Sequence, residues 1–257
     1  MDESAFSLNG RVAIVTGASG GIGRAISLTF ARAGAKLALA ARHPEPLEAL
    51  AQEARALGVP ALAIPTDVTR SDQVQRLVQQ TKSEFGQIDI LVNNAGGTFS
   101  DTFSRGPLLQ TTERDWDQTL AVNLKSAFLC SQAVVPIMLE KKKGAIVNIA
   151  SVAGIHPNPD FLAYGVAKAG LMNFTRSVAL GLAPHIRVNA LSVGIVDTPR
   201  TATRRSPERW KLLVDATPMG VTGQPQDVAW AVLYLASDAA GWVTGIILGI
   251  DGGATRV

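Results

Sequence analysis

The chain has 257 residues, 47% of them hydrophobic and 18% charged, with a formal net charge of +3. It is apolar enough to bury a large core and too poor in charge for a disordered or solvating chain. The basic residues are scattered, which argues against a nucleic-acid surface.

The densest basic run, Lys141-Lys142-Lys143, precedes Gly144 where a helix is expected to end, and cations there suit the helix dipole. Cys130 is the single cysteine, so no internal disulfide framework exists and a reducing compartment fits. It lies in an apolar helical stretch and reads as a small buried hydrophobe. Residues 1–10 carry Asp2 and Glu3 and lack a basic-then-apolar leader. No apolar run reaches the roughly 18–20 residues needed to span a bilayer. A soluble, cytoplasmic protein with neither nucleic-acid nor membrane partners is expected.

Residues 11–16 (RVAIVT) form a short β-branched run ending in a glycine-rich turn. Apolar residues then recur at helical spacing over 22–33 and stop at Gly34, a helix-terminating glycine. Residues 36–41 (KLALAA) predict a second strand, Pro44 opens a helix ending at Gly58, and 61–65 predict a third strand. Thr69-Arg-Ser-Asp72 resembles a capping box with Asp in the usual Glu position. The helix after it places Val74, Leu77, Val78 and Phe85 on one stripe and ends at Gly86. A strand at 89–92, a long helix at 112–139, a strand at 144–149 and a helix at 161–182 follow. A strand at 186–191, a helix at 227–236 and a last strand at 246–250 complete the chain. The strands are apolar with little alternation, as in strands covered on both faces. Such alternation predicts an α/β fold over 1–257: one domain with a doubly wound, mostly parallel, seven-stranded sheet and helices on both faces. The longer irregular stretches, 94–110 and 192–224, both follow strands, where loops line the ligand crevice of an open α/β sheet.

The first turn reads Thr16-Gly17-Ala18-Ser19-Gly20-Gly21-Ile22-Gly23. Its glycines allow a tight turn and close backbone approach to a pyrophosphate, and the following helix N-terminus offers unpaired amides. Between a first strand and a first helix, this marks a dinucleotide-binding, Rossmann-type turn. A carboxylate ending the second strand would bond the ribose of NAD and repel a 2′-phosphate. This chain has Ala41-Arg42-His43 there, and a guanidinium suits a phosphate, so NADP(H) is favoured over NAD(H). Ser19 and Arg24 stand nearby, Arg24 either assisting or facing solvent. Asp67, ahead of Val68, is placed to accept a bond from an adenine amino group. Asn93-Asn94-Ala95-Gly96 follows the fourth strand and leaves room for the adenosine ribose.

Ser151 follows the fifth strand, Tyr164 and Lys168 are one helical turn apart, and Asn123 lies in the long helix. A free phenol, with a pKa near 10, is a poor acid–base group at neutral pH. A nearby ammonium and an oxidised nicotinamide would favour the phenolate. Ser151 can hold a substrate oxygen as charge develops, and Asn123 can position a water linking Lys168 to solvent.

With these residues in order, the chain resembles the short-chain dehydrogenases/reductases of the compact single-domain type. The resemblance runs from about Leu8 to Gly253. It rests on residues 16–23, Asp67-Val68, Asn93-Asn94-Ala95-Gly96, Asn123, Ser151, Tyr164-Gly-Val-Ala-Lys168, Arg187-Val-Asn189 and Asp251-Gly-Gly253. It implies a catalytic tetrad of Asn123, Ser151, Tyr164 and Lys168, with Lys168 also bonding the nicotinamide ribose. The cofactor contacts it implies are Gly17, Ser19, Gly20, Gly21, Ile22, Gly23, Arg42, His43, Asp67, Val68, Asn94, Ala95 and Gly96. On the nicotinamide side they are Gly194, Ile195 and Thr198. It implies a homotetramer as well. The chain departs from the family pattern at Val193-Gly194, where Pro-Gly is usual. It departs again at Leu180-Gly181, where a glutamate is usual, and in the turn Pro184-His185-Ile186, which is one residue short.

The expected reaction interconverts a carbonyl and a secondary alcohol. Pocket walls are expected from Gly97, Thr98, Phe99, Val152, Ala153, His156, Phe161 and Val193, with a lid around 194–220. These are mostly apolar and suit a ketone, steroid or acyl group. Arg204, Arg205, Arg209 and Lys211 in the lid either attract an anionic substrate or form a solvated helix face. A non-catalytic dinucleotide sensor and an enoyl or dienoyl thioester reductase are the alternatives.

Overall fold

The computed structural model describes residues 3–98, 103–202 and 206–255. Phe99, Arg204, Arg205 and the side chain of Arg209 lie outside the described residues.

Seven strands form one sheet: β1 (Val12–Thr16), β2 (Lys36–Ala41), β3 (Ala61–Pro65), β4 (Ile90–Asn93), β5 (Gly144–Ile149), β6 (Ile186–Val193) and β7 (Ile247–Ile250). Their order is β3-β2-β1-β4-β5-β6-β7, and every neighbouring pair is parallel. The helices are α1 (Gly21–Arg32), α2 (Pro44–Ala56), α3 (Ser71–Phe85), α4 (Glu113–Leu120), α5 (Ser126–Glu140), α6 (Leu162–Leu182), α7 (Pro199–Ala202), α8 (Pro207–Asp215) and α9 (Pro225–Ala236).

Successive strand side chains point to opposite faces. Ala13, Val15, Leu37, Leu39 and Val92 join the core shared with α1, α2 and α9. Ile14, Ala38, Leu91, Ile146 and Val188 join the core shared with α3, α5 and α6. Both faces are covered, which is why the strands read as unbroken apolar runs. Chain order reverses beside β1, so a crevice opens between the carboxyl ends of β1 and β4.

Two expectations are corrected. The capping box at Thr69–Asp72 does not form: α3 begins at Ser71 after Arg70, which makes no side-chain cap. The Thr69 hydroxyl donates instead to Asp67 Oδ1 (2.7 Å), and Asp72 pairs with Arg70 and Arg76. A carboxylate two residues away outcompetes the helix amides for a short side chain. Capping boxes form at Thr112–Asp115 and Gln224–Asp227. The long helix is also not uniformly α: a π-turn over Ala121–Lys125 separates α4 from α5. The helical element Glu113–Glu140 has a window of mean hydropathy 1.4, a length and composition that a membrane-crossing helix and a core helix share. Only 39% of that window is buried; Ala127, Cys130, Val134 and Met138 face inward while Phe128 and Leu139 are exposed.

Burial pushes the Cys130 thiol up to about 12, as befits an inert core residue. Lys141 and Lys143 are ion-paired, to Asp89 and Asp238, both at 3.2 Å.

Candidate active site

The crevice floor is locked by two side chains. The Thr16 hydroxyl donates to the Val92 carbonyl (3.1 Å) and accepts from the amides of Asn94 (3.0 Å) and Ala95 (3.1 Å). The Asn94 side-chain amide donates back to the carbonyls of Thr16 and Gly17, both at 3.0 Å. Asn93 turns the other way: its amide donates to Asn148 (2.8 Å), and Asn148 donates to Thr175 (2.9 Å), which ties β4 and β5 to α6.

On this floor lies the glycine turn. Gly17 and Gly21 have φ of +62° and +50°. A Cβ on Gly17 would lie 2.9 Å from Ala95 Cα, and one on Gly23 would lie 2.1 Å from the Gly17 carbonyl oxygen. Gly20 precedes α1 and supplies no side-chain cap, so no capping side chain covers the first amides of α1. Ser19 and Ile22 are half-buried on the same turn. The Thr198 methyl lies 3.2 Å from where a Gly21 Cβ would be, so the segment after β6 closes over the turn. This cradle suits a pyrophosphate: it has close-packed backbone, open amides and no acidic side chain in the turn.

Arg42 and His43 are exposed just beyond β2, and His43 immediately precedes α2. Among the described residues Arg42 has neither an ion-pair nor a hydrogen-bond partner. Arg24 does not assist there: it pairs with Glu53 of α2. Asp67 Oδ1 accepts from the amide (3.0 Å) and hydroxyl of Thr69, and Val68 beside it is buried. Gly194 donates to the Ile250 carbonyl (3.0 Å), and a Cβ on it would lie 2.7 Å from Asp251 Cα. Val193 pairs with Ile250, so β6 runs two residues beyond its expected end. The Ile195 carbonyl accepts from Gly223 (2.9 Å), tying the far side of the crevice to the segment before α9.

Ser151, Tyr164, Lys168 and Asn123 gather near the end of β5. Ser151 Oγ accepts from the Ala153 amide (3.2 Å), which leaves its hydroxyl proton to be donated elsewhere. Lys168 is buried, donates to the Ile149 carbonyl (2.7 Å), and stands 5.6 Å from the Tyr164 ring centroid. A Gly96 Cβ would lie 3.4 Å from Lys168 Nζ and 2.6 Å from Asn123 Oδ1, so the Asn-Asn-Ala-Gly loop runs directly past both. The Asn123 amide nitrogen is spent on the carbonyls of Gly97 (2.9 Å) and Thr119 (3.0 Å), and its oxygen accepts from the Gly97 amide (3.0 Å). The side chain therefore clamps the loop to the π-turn, and its amide nitrogen has no proton left for a water.

Two glycines missed in the sequence set this geometry. A Cβ on Gly154 would lie 2.7 Å from the Ala169 nitrogen, and one on Gly165 2.9 Å from the Ala153 carbonyl oxygen. They let the turn after Ser151 press against α6 beside Tyr164 and Lys168. For Gly165 the signal was a glycine inside a helix, which costs about 1 kcal/mol against alanine and so implies a packing reason; Gly154, in a turn, carried no such signal. Arg105 was also missed; it stacks on Phe161 in the crevice beside Tyr164.

Comparison with known proteins agrees with this geometry. A family model described as Enoyl-(Acyl carrier protein) reductase matches residues 17–255. The chain is 41% identical over 250 residues to the 3-oxoacyl-[acyl-carrier-protein] reductase FabG of Thermotoga maritima, covering 96% of this chain and 98% of the relative. It is 39% identical to the 3-oxoacyl-[acyl-carrier-protein] reductase of Synechocystis sp., covering 96% and 98%. A 7α-hydroxysteroid dehydrogenase solved with NADH and 7-oxoglycochenodeoxycholic acid superposes with a TM-score of 0.94 at 34% identity, covering 100% and 99%. A short-chain type dehydrogenase/reductase from Mycobacterium marinum gives 0.90 at 35%, covering 99% of each chain. The chain belongs to the short-chain dehydrogenase/reductase family and is an oxidoreductase.

Proposed function

We propose that the enzyme interconverts a carbonyl and a secondary alcohol with NADP(H), using Tyr164 as general acid and base. The observation that carries this is the placing of Ser151, Tyr164 and Lys168 around one end of β5, beside the glycine turn. The bound nicotinamide supplies or accepts the hydride. The protein's own part is proton movement and orientation. In reduction, Tyr164 gives its phenolic proton to the substrate oxygen, and in oxidation it takes that proton back. Lys168 steadies negative charge on the phenol oxygen. Ser151 donates its free proton to the substrate oxygen as charge builds there. Asn123 keeps the Gly96–Gly97 loop against the site.

Gly17 to Gly23 hold the pyrophosphate, and Asp67, Val68, Asn94, Ala95 and Gly96 surround the adenosine. Gly194, Ile195 and Thr198 meet the nicotinamide side, and Tyr164 and Lys168 meet its ribose. Arg42, exposed and without an ion-pair partner among the described residues, favours the 2′-phosphate, with His43 beside it. Residues 194–220 serve as the substrate lid over one domain. The weakly buried outer face of Glu113–Glu140 supports contacts between copies in a homotetramer, and a cytoplasmic enzyme belongs to the same reading.

The family model's description favours a second reading, reduction of a carbon–carbon double bond in a thioester. The full-length likeness to 3-oxoacyl reductases favours the carbonyl. The two separate in one assay: NADPH and NADH oxidation with simple ketones, oxosteroids, a 3-oxoacyl thioester and an enoyl thioester. Ketone or 3-oxo turnover with NADPH is expected. Turnover of the enoyl thioester alone would transfer the assignment, and preference for NADH would undo the role given to Arg42.

A further inference from the structure

Two polar bonds join α6 to β5. Lys168 donates to the Ile149 carbonyl (2.7 Å). Two turns on, along the same inward stripe of α6, the Thr175 hydroxyl accepts from the Asn148 side-chain amide (2.9 Å) and donates to the Leu171 carbonyl (2.8 Å). Leu171 and Met172, between the two bonds, are buried and apolar. Asn148 is also held from behind. Its oxygen accepts from Asn93 (2.8 Å), its register partner on β4, and the Asn93 amide also reaches Ser131 of α5 (3.3 Å). Asn93, Ser131, Asn148 and Thr175 are all buried.

Ile146 and Ala150 flank Asn148 on the same face of β5 and belong to the apolar core. An amide among them is costly unless every partner is in place. Apolar packing resists separation but tolerates sliding, whereas a hydrogen bond weakens steeply away from its preferred distance and angle. The polar chain from β4 through β5 therefore holds α6 at one height along the sheet. That height bears on the site from both sides. Ser151 lies three residues beyond Asn148 at the end of β5, while α6 carries Tyr164. Lys168 is rooted in α6 but anchored at its tip on β5, so a slide of α6 swings its ammonium relative to the phenol.

We propose that Asn148 and Thr175 are positioning residues: their bond sets α6 against β5 and so places the Lys168 ammonium beside the Tyr164 hydroxyl, opposite Ser151. This rests on the reading of Tyr164 given above. In oxidation Tyr164 acts as the phenolate, and a cation held less well beside it forms that phenolate at higher pH. Two cations stand beside Tyr164, Lys168 and the Arg105 that stacks on Phe161, and only Lys168 is carried by α6. Thr81 of α3 supplies a matched comparison. It is buried and donates to the Leu77 carbonyl (2.7 Å) as Thr175 does to Leu171, but among the described residues it accepts no side-chain bond.

The test measures kcat, KM and the pH profile of alcohol oxidation with NADP+, together with Tm, for the wild type, Thr175→Val, Thr175→Ser, Thr81→Val and Tyr164→Phe. Thr175→Val keeps the volume and removes the bond. It should lower kcat about tenfold with KM within about twofold, and move the acid limb of the profile up by about one pH unit. Thr175→Ser keeps the hydroxyl and should keep the wild-type profile. Thr81→Val should lower Tm and leave the profile alone. Should Thr175→Val not fold, Asn148→Ala breaks the same bond from the strand side and carries the same expectation. If Thr175→Val lowers only Tm, as Thr81→Val does, the bond is merely structural and the proposal is overturned. It is equally overturned if Thr175→Ser shifts the profile as far as Thr175→Val. In both cases the loss of turnover in Tyr164→Phe leaves the reading of Tyr164 standing. If Tyr164→Phe keeps the wild-type kcat and profile, that reading falls and this proposal with it.

Discussion

A methyl group on Gly23 would sit 2.1 Å from the Gly17 carbonyl oxygen, whereas one on Gly20 would meet nothing within 4 Å. Gly23→Ala must therefore push α1 off the turn. It is expected to cost about 1–3 kcal/mol in denaturant unfolding and to weaken NADPH binding, with Gly20→Ala close to wild type in stability. Arg42 tests the opposite kind of residue, one defined by chemistry rather than space. Arg42→Ala should raise the KM for NADPH about tenfold while barely changing that for NADH, since only the former carries the 2′-phosphate. A parallel loss with both nucleotides would contradict the assignment. At this scale the residues spaced along short motifs were legible, because a glycine turn and a Tyr-x-x-x-Lys pair are local. The partners of Asn94, Arg24 and Arg105 were not. Each pairs with a residue at least 29 positions away, and no local pattern encodes such a pair.

At the scale of elements, helix ends and register separate what periodicity shows from what it does not. Apolar spacing located all seven strands and the main helices, since burial on two faces leaves an unmistakable pattern. It did not find the π-turn at Ala121–Lys125, where the cause is tertiary: the Asn123 amide takes the Thr119 carbonyl and both polar groups of Gly97. It also misplaced one helix cap, at Thr69, while the helix-ending glycines Gly34, Gly58 and Gly86 stand where expected. Thr112 is the true cap, with Asp115 reciprocating, so Thr112→Ala should destabilise the protein by about 1 kcal/mol in urea. Thr69→Ala should leave α3 intact, since Thr69 serves Asp67 and not the helix. Equal losses in the two variants would show that the caps were wrongly placed. The Thr112–Asp115 box also holds the Asp115 carboxyl below its usual range, chiefly through the Thr112 hydroxyl.

Across the whole molecule, Asp238 ties distant elements together beneath the sheet. It pairs with Arg11 ahead of β1 (2.6 Å) and with Lys143 ahead of β5 (3.2 Å), while Arg187 of β6 donates to the carbonyls of Leu235 and Ser237. Burial works to raise the Asp238 pKa, but hydrogen bonds and charge from Arg11 and Lys143 outweigh it and hold the carboxyl below the usual range. A depressed folded pKa stabilises the protein above the unfolded value near 4, and the benefit is lost as pH falls through the folded value. Asp238→Asn should thus lower Tm at neutral pH, and the gap to wild type should close as the pH drops below about 4. A gap independent of pH would place the effect in packing instead. The apolar outer face of Glu113–Glu140 makes a second prediction at this scale. Phe128, exposed on that face, should be covered by another copy, so Phe128→Glu should reduce the mass found by light scattering.

The central claim is that the Tyr164 hydroxyl moves the proton. Its most direct test is kcat for Tyr164→Phe on a ketone that the wild type reduces, with NADPH binding measured on the same samples. The variant should bind NADPH as the wild type does and lose at least about a hundredfold in kcat, the usual share of a general acid. A kcat within about threefold of wild type, at equal nucleotide occupancy, would contradict the account and assign the proton to another group.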